Sequence, residues 1–166
     1  LIEDEYNLNS SSYEGLAGID SLFMSNFGDA LFLTDNVGNQ LLSSVERIVA
    51  GDGGDLIKLD HEEIELGNLL IFGGRGDDIL WGNVGNDTIY AFDGNDIVDG
   101  GLGNDILGGE KGDDIVSGGD GNDTVDGGTG NDLLNGGLGN DTYLFNRTYG
   151  LDSITDNDAT AGNPEW

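Results

Sequence analysis

The pattern of polar and apolar positions repeats every nine residues through the middle of the chain. From residue 73 to residue 144, eight nine-residue units follow one another without an insertion. The fourth position is always Gly, the fifth Asp or Asn, the sixth Asp and the eighth apolar. The first six positions predict a Gly/Asx-rich turn, and the last three predict a minimal strand with its central residue pointing inward. The inward residues are Leu80, Ile89, Val98, Leu107, Val116, Val125, Leu134 and Tyr143.

Such short strands predict a solenoid, because one unit alone cannot bury its apolar side chain. Stacking identical units places the eighth-position residues in a continuous internal row. If two units make one coil, with one strand on each of two facing sheets, residues 18 apart lie about 4.8 Å above one another. The expected fold is therefore all-β, a right-handed parallel β-roll.

The sequence before the array predicts irregular coils of the same solenoid rather than a separate domain. Residues 50–55 form a degenerate unit that lies 23 residues before its regular counterpart. Short strands are predicted at residues 18–23, 30–34 and 45–49, and residues 59–71 are expected to form a loop followed by a strand. We therefore expect residues 1–72 to be a β-rich N-terminal cap and residues 73–144 to be the β-roll.

The charge balance excludes several classes of partner. The chain carries 33 acidic and 5 basic residues, with a formal net charge of -28. Nucleic acids and anionic membranes need Lys/Arg patches, which such a chain does not supply. Self-repulsion alone would favour disorder, but the hydrophobic content of 36% and the single proline argue against a permanently disordered chain. We expect order that is conditional on a cation.

Other composition features limit what can hold the fold together. The chain has no cysteine, so disulfides and Cys-ligated metal sites are excluded. No apolar run approaches the roughly 20 residues of a membrane span, and the first five residues contain no basic start of a signal peptide. If the protein is exported, the signal is expected elsewhere in a longer chain.

Stacking would bring the sixth-position aspartates into two columns, one at each edge of the roll. Carboxylates about 5 Å apart repel by roughly 3 kcal/mol at an effective dielectric near 20, so cations are needed between them. Carboxylate, amide and carbonyl oxygens are the only ligands nearby, and this set suits Ca²⁺. Three gaps in each column predict about six Ca²⁺ ions within residues 73–144. The columns are Asp78, Asp96, Asp114 and Asp132, and Asp87, Asp105, Asp123 and Asp141.

These units resemble the RTX (repeats-in-toxin) family, whose repeat G-G-x-G-x-D-x-U-x binds calcium in a β-helix. The resemblance implies that successive turns hold Ca²⁺ with the sixth-position Asp, turn carbonyls and the fifth-position residue. It also implies type I secretion by a Gram-negative bacterium, an extracellular location, and a calcium-triggered folding switch within a larger adhesin, toxin or exoenzyme. The fifth-position residues are Asp77, Asn86, Asn95, Asn104, Asp113, Asn122, Asn131 and Asn140.

The sequence that ends the array is also interpreted through this resemblance. Residues 143–154 are similar to the motif that ends RTX arrays, and aromatic residues such as Tyr143 and Phe145 are expected to close the core. Asp152 could complete another site, although its turn is two residues longer than the register requires. Together with a frayed end, this motif makes residues 145–166 the third segment of the chain.

Within the array, Asn83, Ala91, Phe92 and Glu110 replace glycine at the first or second position. Carbonyl ligands survive such changes, but the turn dihedrals are at risk. We expect the site nearest Ala91 and Phe92 to be the weakest.

Enzymatic alternatives fail for lack of suitable residues. His61 begins a sequence similar to the zinc signature H-E-x-x-H, but Glu65 occupies the place of the second histidine and no other histidine exists. A carboxylate that recurs eight times is better explained as a metal ligand than as a glycosidase acid or base. We therefore expect the module itself not to be an enzyme.

Two binding alternatives remain. Ice binding would need a Thr-rich face, yet the threonines at the seventh position alternate with Ile and Leu. A glycan-binding accessory module is the stronger alternative, with Trp81 and Tyr90 as possible stacking residues, although packing at strand edges is the favoured explanation for these two aromatics. Glycan or cell-surface partners could also be reached through neighbouring domains.

Overall fold

A computed structural model describes residues 20–24, 27–32, 45–59, 67–145 and 150–156. This part of the chain is all β. Within it, no helix is long and apolar enough to cross a membrane. The strands are β1 (Asp20–Phe23), β2 (Ala30–Phe32), β3 (Val45–Asp52), β4 (Leu56–Lys58), β5 (Leu70–Arg75), β6 (Ile79–Trp81), β7 (Thr88–Asp93), β8 (Ile97–Leu102), β9 (Ile106–Lys111), β10 (Ile115–Asp120), β11 (Thr124–Thr129), β12 (Leu133–Leu138), β13 (Thr142–Leu144) and β14 (Ser153–Ile154).

Successive strands alternate between two parallel sheets. The odd sheet contains the odd-numbered strands in order from β1 to β13, and the even sheet contains the even-numbered strands from β2 to β14. Within the array each residue pairs with the residue 18 positions later, as Val98 does with Val116. Two units therefore make one coil, and the prediction of a parallel β-roll is confirmed.

Most strands are longer than predicted. From β7 to β12 each has six residues, because the strand continues from the seventh position through the third position of the next unit. The predicted three-residue strand with a six-residue turn was therefore wrong. Glycines extend the strands because every coil repeats the same backbone conformation, so the hydrogen-bond ladder forms without side chains.

The core consists of two facing rows of eighth-position side chains. Every predicted inward residue of the array is buried except Tyr143, which is half-buried and packs against this core. Ile48, Ile57 and Ile71 continue the rows toward the N-terminus. Each fully buried Leu, Ile or Val stabilises the fold by about 1.5–3 kcal/mol relative to an exposed one.

The strands before the array belong to the same two sheets. All three strands predicted there are present as β1, β2 and β3. The register is longer here, since Leu56 pairs with Ile79 and Ile48 with Ile71, each 23 residues apart. The predicted strand of residues 59–71 is β5, whereas His61 and Glu65 lie outside the described residues.

At the other end, β14 pairs with β12 at a separation of 20 residues, as in the pair Leu134 and Ile154. Tyr143 packs against the core as expected, but Phe145 is 56% exposed and does not close it. The separation of 20 is already present in the turn before β14, where the N–H of Leu151 donates to Oδ1 of Asn131.

Candidate metal sites

Sixth-position aspartates form a ladder along each edge of the roll. The even ladder precedes the even-numbered strands, and each backbone N–H in it donates to the aspartate of the following coil. The N–H of Asp78 donates to Oδ1 of Asp96 at 2.7 Å, and the N–H of Asp96 donates to Oδ1 of Asp114 at 2.8 Å. The odd ladder, which precedes the odd-numbered strands, repeats this from Asp87 to Asp105 and from Asp105 to Asp123. One carboxylate oxygen thus ties adjacent coils together.

The second carboxylate oxygen has no such role. In the part of the chain that the structure describes, Oδ2 is buried and accepts no hydrogen bond in Asp55, Asp78, Asp96, Asp105, Asp114, Asp123 and Asp132. A buried carboxylate needs a compensating charge or it becomes neutral. These oxygen atoms therefore have the environment expected of cation ligands.

Burial dominates the protonation equilibrium of these side chains. It raises the pKa of Asp78, Asp105 and Asp114 to about 7. It raises the pKa of Asp96 to about 6. The backbone hydrogen bond acts in the opposite direction, while neighbouring carboxylates add to the rise. The ladders are thus electrostatically unfavourable near neutral pH unless a cation is present.

Oδ2 faces a first-position glycine and a carbonyl oxygen of the next coil. A Cβ placed on Gly73 would lie 2.5 Å from Asp78 Oδ2 and 2.6 Å from the carbonyl oxygen of Ala91. A carboxylate and a carbonyl oxygen therefore converge where a side chain would collide. Carboxylate and carbonyl oxygens of this kind suit Ca²⁺, which accepts six to eight oxygen ligands in flexible geometry.

Fifth-position residues lie on the outer rim of the turns and are exposed. Their side chains accept hydrogen bonds from the following coil, whereas the sixth-position side chains accept them from the preceding coil. Oδ1 of Asp77 accepts the N–H of Asn95 at 2.8 Å, and Oδ1 of Asn104 accepts the N–H of Asn122 at 2.7 Å. The same contact joins the other predicted fifth-position residues, Asn86, Asp113, Asn131 and Asn140. These residues are brought together along the roll, but outside the buried carboxylates.

Carboxylates alone do not form a metal cluster. In the described ranges, no group of three or more His, Cys, Asp or Glu side chains could hold a metal ion. A cation at the ladders would therefore depend on turn carbonyls as well as on two successive aspartates. This ligand set is still an oxygen set, as Ca²⁺ prefers.

Comparison with protein-family models matches residues 72–107 and 108–143 to the RTX calcium-binding nonapeptide repeat, a model of four copies. Two four-copy matches account for the eight units of the array. Residues 72–143 belong to the RTX repeat family. RTX repeats bind calcium and form a structural domain, and they are typical of secreted Gram-negative proteins. No curated protein matches the chain.

Departures from glycine in the RTX array differ in their effect on the backbone. Phe92 and Glu110 keep positive φ values of 81° and 79°, as the second-position glycines do. Two of the four replacements thus retain the backbone conformation that was considered at risk, and the weakness of the site nearest Ala91 and Phe92 stays a prediction. Asn83 is the second-position residue that does not keep a positive φ among the described residues.

The altered backbone at Asn83 changes the aspartate of its own unit. The N–H of Asn83 donates to Oδ2 of Asp87 at 3.0 Å, and the N–H of Leu69 donates to Oδ1 of Asp87 at 2.8 Å. Both oxygens of Asp87 thus accept protein hydrogen bonds. The buried Leu69 occupies the sixth position of the preceding turn, so the odd ladder has no carboxylate there. The sequence signal that was overlooked is the Gly67-Asn68 pair, 18 residues before Gly85-Asn86.

The even ladder extends beyond the RTX match at both ends. The N–H of Asp55 donates to Oδ1 of Asp78 at 2.7 Å, and the N–H of Asp132 donates to Oδ1 of Asp152 at 3.2 Å. Asp78, predicted as the first member of its column, is therefore an internal one. The extra length of the turn before Asp152 does not remove that residue from the ladder.

Aromatic side chains on the outer faces do not form one surface. Trp81 lies on the even sheet, where the Lys58 ammonium is 3.8 Å from its ring centroid. Tyr90 lies on the odd sheet and stacks on Phe72, with ring centroids 6.1 Å apart. Phe92 joins this odd-sheet cluster. The two residues considered for glycan stacking are thus on opposite sheets.

Proposed function

We propose that this module is a calcium-triggered folding and secretion element of a secreted bacterial protein. The observation that carries the proposal is the buried Oδ2 atom of successive sixth-position aspartates, which accepts no hydrogen bond in the described residues. Without a cation these carboxylates repel one another and oppose folding. With Ca²⁺ between the coils, the same oxygens stabilise the stack.

In this proposal the ions lie in two rows, one along each ladder. The sixth-position aspartates of the array supply Oδ2, and turn carbonyls complete the coordination; Asp87 differs because its Oδ2 also accepts the N–H of Asn83. Fifth-position residues define the outer side of each site and contribute where their side chains can turn inward. About six ions would occupy the regular array, as expected for three gaps in each row.

Calcium binding of this kind is sufficient to decide whether the chain folds. Extracellular calcium modules have dissociation constants near 10⁻⁴ M, so millimolar Ca²⁺ stabilises the fold by about 1.4 kcal/mol per site. About six sites then contribute roughly 8 kcal/mol, which is comparable with the stability of a whole domain. Because each coil completes the sites of its neighbour, binding is expected to be cooperative.

The proposed biological role follows from the calcium gradient across the bacterial envelope. Inside the cell, where Ca²⁺ is scarce, the chain of charge -28 remains unfolded and can pass through a secretion channel. Outside, millimolar Ca²⁺ folds it. The neighbouring domains of the parent adhesin, toxin or exoenzyme would then carry its activity.

Limited proteolysis of the whole chain tests this role directly. The chain is digested at submicromolar and at millimolar Ca²⁺, with ionic strength matched by NaCl. We expect rapid digestion throughout the array at low calcium and protection of residues 45–145 at high calcium. Equal protection at both calcium concentrations would contradict the proposal.

A further inference from the structure

One turn outside the RTX match has the construction of a repeat turn. The N–H of Gly53 donates to the carbonyl oxygen of Arg75 at 2.5 Å, as the N–H of Gly76 does to that of Asp93 at 2.7 Å. On the other side of the turn, the carbonyl oxygen of Asp55 accepts the N–H of Ile79 at 2.8 Å. Residues 53–55 therefore form a coil edge that is equivalent to residues 76–78. The residues that lengthen the register to 23 lie elsewhere in the coil.

Asp55 has the environment of the sixth-position aspartates. Its side chain is 2% exposed, and its Oδ1 accepts the N–H of Asp29 at 2.7 Å. Its own N–H donates to Oδ1 of Asp78. Oδ2 is buried and accepts no hydrogen bond in the described residues. Asp55 thus presents the same open oxygen as Asp78 and Asp96.

Local basic residues are directed elsewhere. Arg75 lies on the strand paired with β3, but its guanidinium is 3.8 Å from Asp52 and largely exposed. Lys58 follows Asp55 closely in sequence, but its ammonium lies over the Trp81 ring. In the part of the chain that the structure describes, neither side chain donates to Asp55 Oδ2, which accepts no hydrogen bond there.

Residues around the first position also match a regular unit. Ala50 lies opposite Gly73 in the sheet, beside the pair Gly51 and Gly74. It therefore carries a methyl group at the first position, where most units have glycine. Ala91 makes the same replacement within the RTX match, and Asp96 of that unit still has a buried, open Oδ2. Ala50 therefore does not distinguish the Asp55 turn from a matched repeat. The fifth position distinguishes this turn from a matched repeat, because Gly54 replaces the usual Asp or Asn.

We infer that Asp55 and the turn of residues 76–78 form a further Ca²⁺ site on the N-terminal side of the recognised repeats. Oδ2 of Asp55 and turn carbonyls supply the ligands, and no fifth-position side chain takes part. The inference rests on the proposed function, because it extends the same kind of site by one coil. It also implies that part of the preceding segment folds together with the array.

The test counts bound ions in the whole chain at saturating Ca²⁺ by native mass spectrometry and equilibrium dialysis. Asp55→Leu removes the carboxylate oxygens. Leucine is chosen because Leu69 already occupies a buried sixth position in this fold. Asp52→Leu is the matched control, because it removes the same charge from an exposed residue on β3. Asp114→Leu is the reference for an internal repeat site. Circular dichroism first confirms that each variant is folded.

We expect Asp55→Leu to bind at least one ion fewer than the parent chain, and Asp52→Leu to bind the same number. If Asp55→Leu keeps the full count while Asp114→Leu loses ions, the inference is wrong and the proposed function stands. If the parent chain itself binds no calcium, the proposed function fails. Should Asp55→Leu not fold, crystals of the parent chain grown in Ca²⁺ decide the question. An ion beside Asp55 Oδ2 supports the inference, and its absence overturns it.

Discussion

The backbone nitrogen of Asp96 lies 2.8 Å from Oδ1 of Asp114, one coil further along, while Oδ2 of Asp114 is buried without a hydrogen bond in the described residues. One carboxylate thus has two separate tasks. Its first oxygen fixes the spacing of two coils, and its second oxygen faces the space in which we propose that calcium binds. Folding and calcium binding are therefore linked through the same side chain.

Removing this carboxylate from the middle of the even ladder should weaken calcium-dependent folding strongly. Asp114→Ala strips a ligand from two adjacent proposed sites and leaves the N–H of Asp96 without its acceptor. We expect a loss of about 3 kcal/mol at millimolar Ca²⁺, seen as a several-fold rise in the calcium midpoint of the circular dichroism signal. Asp152→Ala, at the end of the ladder, should raise that midpoint less. Equal effects of the two changes would argue against shared sites.

Fifth- and sixth-position residues should differ in their contribution. Asn122 is exposed, and its Oδ1 accepts the backbone N–H of Asn140 at 2.8 Å and the side-chain amide of Asn140 at 3.3 Å. Asn122→Ala should therefore cost about 0.5–1.5 kcal/mol and leave the number of bound ions unchanged. Asp123→Ala should lower that number. Isothermal titration of both variants measures the stoichiometry, and loss of an ion in Asn122→Ala would make the fifth position an essential ligand.

Glu110 holds a backbone conformation that favours glycine, with φ of 79°. Its register partner Gly128 has φ of 95° at the equivalent position. Replacing Glu110 with Gly should stabilise the calcium-saturated roll by about 1 kcal/mol, because the strain of a side chain at positive φ is removed. Gly128→Ala should destabilise it. Thermal unfolding of the two variants provides the measurement, and a destabilised Glu110→Gly would show that the side chain compensates for its backbone.

Acidification should partly replace calcium. Folding raises the pKa of Asp78, Asp105 and Asp114 to about 7, so the folded chain binds more protons than the unfolded chain. In a calcium-stripped sample, stability should therefore rise as the pH falls from about 8 toward 4, and be lost as the pH rises through 7. Sheet content followed by circular dichroism tests this sign. With calcium present, protons compete for the same oxygens, so the calcium midpoint should rise on acidification.

The regular part of the fold was predictable because a short pattern determines it. A nine-residue repeat with one buried position fixes the coil, the alternation of sheets and the 18-residue register. The eighth-position residues from Leu80 to Leu134 are buried as expected. Strand length was not predictable from side chains, since the first three positions of each unit join the strand through backbone hydrogen bonds alone.

The ends of the ladders were harder to predict, because they depend on loop length. The sequence singled out residues 50–55 and Asp152, but their spacings of 23 and 20 residues did not place them in a column with a period of 18. Leu69 occupies a sixth position that is otherwise aspartate. A search for sixth-position aspartates therefore overlooks the turn that contains Leu69. The hydrogen bond from Asn83 to Asp87 depends on one local change of φ, which sequence alone does not determine.

Far-ultraviolet circular dichroism of the calcium-stripped chain during a calcium titration measures whether calcium folds this chain. We expect little sheet signal without calcium, a steep return of that signal at millimolar Ca²⁺, and little return with the same concentration of Mg²⁺, which prefers a tight octahedron and keeps its waters. A stripped chain that keeps its full sheet signal and melts sharply would contradict this expectation.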